Sequence, residues 1–97
     1  MTRQHKDWTP TVEQRIQLHD GLALLQEARV ALQDVQSPQW QEWRQAQELS
    51  IDNCQHTFDF FLSGAVIPAG YVFAEEIDSP AFLLRDIRYI LCEYPLH

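Results

Sequence analysis

Gln36-Ser37-Pro38-Gln39-Trp40 stands between two long helix-period patterns near the middle of the chain. A serine hydroxyl can accept hydrogen bonds from the unpaired N–H groups of a helix start. Proline has no N–H to leave unsatisfied, and its φ is already near the helical value. The stretch therefore ends one helix and begins the next. The same hydroxyl-proline signal recurs at Thr9-Pro10 and Ser79-Pro80, so three helices are expected and the fold class is all-α.

Upstream, from about residue 10 to 36, Val12, Ile16, Leu18, Leu22, Ala23, Leu25, Val30 and Leu32 sweep an arc of roughly 200° at 100° per residue. That is wider than the ~100° stripe of a helix buried on one side. Gly21 looks like a weak spot, costing on the order of 1 kcal/mol against alanine. Downstream, from about 38 to 63, Trp40, Trp43, Ile51, Cys54, Phe58, Phe61 and Leu62 form one aromatic seam, and Gly64 supplies the left-handed stop. Each helix would extend roughly 39 Å. With only Gln36 and Ser37 between them they form a long antiparallel helical hairpin.

Residues 64–79 hold Pro68 and Gly70 without sustained period and read as an apolar connector, with a short helical turn at Val72–Ile77. A third helix over about 80–93 turns Phe82, Leu83, Ile87, Ile90, Leu91 and Tyr94 inward and spans about 21 Å. The expectation is a single-domain three-helix bundle preceded by an N-terminal tail at 1–9. A helix this short leaves part of the hairpin's apolar arc uncovered, so a dimeric helical bundle or a protein partner is the expected cover.

At 97 residues and 45% apolar content, with three Trp, five Phe and three Tyr, the chain can build one core without a metal or disulfide framework. Cys54 and Cys92 fall in apolar helical patterns without C-x-x-C spacing, which favours two buried free thiols in a reducing compartment. The start of the chain shows no secretory pattern and no run is long enough to span a bilayer; a cytoplasmic protein is expected. The net charge of −7 is spread along the chain, with no basic patch, which argues against direct nucleic-acid or membrane binding.

Chemistry is sparsely signalled. Asp52, His56 and Asp59 share a helix face at i, i+4 and i+7, a spacing open to a metal, but Asp-rich surface faces are common and the Glu-x-x-His pair of di-iron bundles is absent. Burial should quench Cys54. His19 falls within the apolar arc and reads as a hydrogen-bonded core histidine. No nucleophile elbow or phosphate loop occurs, so neither an enzyme nor a cofactor is expected.

What remains is binding. Trp40 and Trp43 sit beside a glutamine-rich hairpin tip, and tryptophan is enriched among interface anchors. Together with Leu24, Leu49, Tyr71 and Phe73 they form the expected docking patch for a larger protein, whose functional surface this chain would mask. The expected type is an anti-activator, immunity or anti-defence antagonist of bacterial or phage kind. Two alternatives remain. One is a nucleic-acid mimic presenting Glu48, Asp52, Asp59, Glu75 and Glu76 at roughly the spacing of phosphates; the other is a homodimeric adaptor bundle.

Overall fold

The computed structural model describes residues 7–71 and 73–93. Among them lie three long helices, α1 (Val12–Leu32), α2 (Gln41–Leu62) and α4 (Ser79–Glu93), and a single helical turn, α3 (Phe73–Glu76). The all-α three-helix architecture is therefore the one expected. The boundaries differ, each for a local reason.

Thr11, not Thr9, caps α1. Its hydroxyl accepts from the Gln14 N–H at 3.1 Å, while the Gln14 side-chain oxygen accepts from the Thr11 N–H at 2.9 Å. This reciprocal capping box satisfies two orphan donors at once, and Thr9-Pro10 stays outside the helix. At the other end α1 stops at Leu32 rather than near Gln36. Asp34 and Val35 donate to carbonyls three residues back, both at 3.0 Å, and Val35 turns into the core. Pro38–Trp40 then makes one 3-10 turn, without a capping bond from the Ser37 hydroxyl, before α2 begins. With 21 and 22 residues the two helices are about 32 and 33 Å long. Gly64 does take the left-handed conformation, with φ +88°, just beyond α2.

The helix at the centre is α1, which packs along both α2 and α4, whereas α2 and α4 touch only lightly. Leu18, Leu25, Ala28 and Leu32 of α1 meet Ile51, Phe58 and Phe61 of α2 and Leu84 and Ile87 of α4 in one core cluster, joined by Ile67 from the connector. No charged or polar residue is buried among the described residues.

Several expectations on the inward faces are corrected. Val12, Ile16 and Val30 are exposed on α1 because the core needs only one side of that helix. His19 is also exposed rather than a core histidine. On α4, Leu84 takes the inward position expected of Phe82. The Phe82 ring lies outside beneath the Arg85 guanidinium, 4.9 Å from its centroid. Cys92 is exposed, so only Cys54 is a buried thiol. Tyr94, Val72 and the start of the expected tail lie outside the described residues.

Trp8 is part of the fold, not of a tail. Its N–H and carbonyl pair with the Ile67 carbonyl and N–H at 3.0 and 2.7 Å. Its ring packs 5.6 Å from Phe61 and 6.1 Å from Phe73. The Asp7 carboxylate accepts from the Ala69 N–H at 2.9 Å. The connector is thus strapped to the base of α2.

Gly21 is buried in α1, where a Cβ would overlap the Phe58 ring, itself wholly buried. Propensity alone predicts that Gly21→Ala stabilises α1 by up to about 1 kcal/mol; overpacking of this kind costs about 1–3 kcal/mol. We expect Gly21→Ala to lower stability, read as a reduced midpoint in urea unfolding, and Phe58→Leu to relieve part of the loss when combined with it.

Candidate functional site

The residues expected to form one docking patch fall at separate places. Trp40 and Trp43 meet edge to face, 5.9 Å between centroids, at the start of α2. They are half-buried and pack against the core. Tyr71 and Phe73 lie at the far end of α2, where Phe61 stands 5.8 Å from Tyr71 and 6.4 Å from Phe73. From Trp43 to Phe60 the helix climbs about 26 Å, so the two aromatic groups cannot act as one anchor. Leu24 is a margin of the core. Leu49, 64% exposed, sits on the solvent side of α2. Of the two residues expected to share an outer patch, Leu24 is thus half-buried and Leu49 exposed.

Two of the five residues of the acidic array, Asp52 and Glu48, are answered within the chain. The Asp52 carboxylate accepts from Arg29 at 2.8 Å, and the same guanidinium donates to Gln55 at 2.7 Å. Glu48 has Arg44 one turn away at 3.8 Å. Asp59 and Glu75 are exposed, and Glu76 is half-buried. His56 Nδ1 is 2.8 Å from the Asp52 backbone carbonyl, which commits the ring to its own helix rather than to a site shared with Asp59. Among the described residues, no group of three or more His, Cys, Asp or Glu is placed to hold a metal.

A groove that the sequence did not signal lies between α2 and α4. It measures about 430 Å³ and exists because α4 packs on α1 and leaves the flank of α2 open. Asn53, Cys54 and Thr57 of α2 form one wall; Phe82, Leu83 and Asp86 of α4 form the other; Glu76 closes the α3 end. Phe82 is 53% exposed, so its ring edge offers apolar area to anything entering the groove. Among the described residues no cation pairs with Glu76.

Cys54 lines this groove. Burial, and secondarily the Glu76 carboxylate, push its thiol up from 9.0 to about 11, since both disfavour the thiolate. A thiol so protonated at neutral pH is a small apolar contact surface and a poor nucleophile. The arrangement can therefore bind an apolar side chain between acidic rims, but it holds no activated nucleophile.

Comparison with protein families, curated proteins and solved structures returns no match for this chain. No helix among the described residues is long and apolar enough to cross a membrane.

Two measurements follow from the thiols. A disulfide reagent at neutral pH should modify Cys92 rapidly and Cys54 slowly, with both rates converging in urea. The folded chain holds the Cys54 proton that the unfolded chain releases above about pH 9. Unfolding midpoints in Cys92→Ser should therefore fall as pH rises from 9 towards 11, and the Cys54 component of that fall should vanish in Cys54→Ala.

Proposed function

We propose that this protein is a non-catalytic protein-binding regulator that antagonises a larger protein by sequestering one of its amphipathic helices in the groove between α2 and α4. The observation that carries this reading is the open flank. A bundle whose third helix packs on α1 and only lightly on α2 presents an open groove of about 430 Å³ with the exposed Phe82 side chain at its edge. A helix in a groove is a recurring mode of peptide capture.

The chemistry of the lining says what kind of helix would fit. Cys54 and Leu83 at the floor and Phe82 at the rim accept aliphatic or aromatic side chains spaced at i, i+3 or i+4 and i+7. Glu76 at one end and Asp86 along one wall favour lysine or arginine on the flanks of that helix. Asp86 already lies 3.3 Å from Arg85, so Glu76 is the stronger attraction. The chain's net charge of −7 would speed encounter with a basic partner. The nucleic-acid mimic draws less support, because Asp52 and Glu48 each have an arginine close by. Two free thiols are in keeping with a cytoplasmic setting.

The test is selection from a library of helical peptides against the folded protein. Binders should converge on an apolar i, i+3 or i+4, i+7 face flanked by basic residues. Phe82→Asp should weaken them by at least about tenfold, the equivalent of ~1.4 kcal/mol, without loss of helical circular dichroism, and a bound peptide should protect Cys54 from slow alkylation. Binders indifferent to Phe82→Asp and to Glu76→Gln would remove the groove from consideration.

A further inference from the structure

The outward side of α1 carries a second apolar stripe. Val12 is 76% exposed, Ile16 56% and Val30 63%, and Ala23 between them is exposed as well. At 100° per residue these four lie within about 40° of one another, on the side opposite Leu18, Leu25 and Leu32. Ile16, Ala23 and Val30 recur every seven residues, with Val12, His19, Gln26 and Gln33 in the alternating positions. Set in a heptad, the first series occupies the a positions of a narrow apolar stripe and the second the d positions, where only Val12 is apolar and His19, Gln26 and Gln33 are polar.

The charges that flank the seam choose the occupant. On one side the e positions are Glu13, Asp20 and Glu27; on the other the g positions are Arg15, Leu22 and Arg29. Two such helices running antiparallel would set acid against acid and arginine against arginine. Running parallel, each g position meets the e position five residues further along the other helix. Arg15 then meets Asp20 of the second copy, and Leu22 meets Glu27. Arg29 is already engaged by Asp52 and Gln55 and Glu27 by Arg88 at 3.2 Å. Arg15 and Asp20, both exposed, have no such partners among the described residues. The face is thus self-complementary for a parallel two-fold pairing and self-repelling for the antiparallel one.

We infer that a second copy of this chain covers the outer face of α1, forming a parallel homodimer through Ile16, Ala23 and Val30, with Arg15 paired to Asp20 across the two-fold axis. His19 and Gln26 face their own counterparts in the seam. Polar residues there fix the register and lower the affinity, so the dimer forms in a concentration-dependent way. The α1 outer face lies away from the α2–α4 groove, so this inference does not depend on what the groove binds.

Sedimentation equilibrium from micromolar to millimolar concentration tests it. The wild-type chain should pass from monomer to dimer over that range. His19→Leu should tighten the dimer by at least about tenfold. Ile16→Asp should abolish it and, being on an exposed site, should leave circular dichroism and urea unfolding of the monomer in place. Arg15→Glu should weaken the dimer and Arg15→Glu/Asp20→Arg should restore it. In a Cys92→Ser background, Val30→Cys should oxidise to a disulfide-linked dimer, because a parallel pairing brings position 30 to its own counterpart, whereas an antiparallel pairing centred on Ala23 sets it against position 16. A chain that stays monomeric even with His19→Leu overturns the inference. So does a dimer insensitive to Ile16→Asp, which must form through another face, or one in which Val30→Cys does not cross-link, which cannot be parallel.

Discussion

At one level of the bundle the ring of Phe58 occupies the space where residue 21 would otherwise project a side chain. That contact lets the backbone of α1 approach α2 closely, and much of the remaining geometry depends on it. With α2 drawn in against one flank of α1, Leu25, Ala28 and Leu32 above and Leu18 below are buried without room for a further layer. The last helix then packs along α1's other flank. A symmetrical three-helix bundle would have closed all three interfaces; this one closes two well and leaves the third ajar. Because interiors are packed like crystals and not like liquids, a local change at Gly21 should propagate to the width of the groove.

The base of the molecule is held by different means. There the chain has no long helix to spare, and an aromatic group does the work. Trp8, Phe61 and Phe73 pack ring against ring, with Tyr71 and Phe60 completing the set at 6.1 Å. Such pairs contribute about 0.5–1.5 kcal/mol each beyond their burial. A single antiparallel backbone bridge from Trp8 to Ile67 orients the strap. This fixes where the connector delivers the chain to α4, and hence places Glu76 at the end of the groove, beside Cys54.

The helices were legible because their punctuation is local. Ser37-Pro38 and Gly64 act within a turn of where they stand, and the aromatic seam of α2 is a one-sided pattern that survives in the structure. The start of α1 is ambiguous in the sequence because Thr11 and Gln14 carry the capping-box spacing openly while Thr9-Pro10 offers a competing signal two residues earlier. The wide arc of α1 was also visible, yet an arc does not distinguish one broad buried face from two narrow faces on opposite sides. Leu18, Leu25 and Leu32 form one series of sevens and Ile16, Ala23 and Val30 another, and only the burial of the first separates them. The groove and the Trp8 strap were not legible, because both depend on contacts between residues far apart in the chain, such as Trp8 with Ile67, for which periodicity carries no information.

The groove is lined by α2, α3 and α4 and the stripe belongs to α1, and this constrains how the two could operate together. The core face of α1 supports α2 and α4, whose parting makes the groove; the outer face carries the heptad stripe. A parallel two-fold axis along that stripe would place two grooves on the outside of the assembly, facing away from each other and both open. Pairing would also order α1 from its far side while leaving α2 and α4 free to part. A partner with two copies of the target helix could then be held at two points, and the second capture would be intramolecular, strengthening the whole without any new contact. A partner with a single copy would gain nothing from dimerisation. The dependence of capture on dimer formation therefore distinguishes a regulator of oligomeric partners from a regulator of single chains, on physical grounds that need no knowledge of the partner's identity.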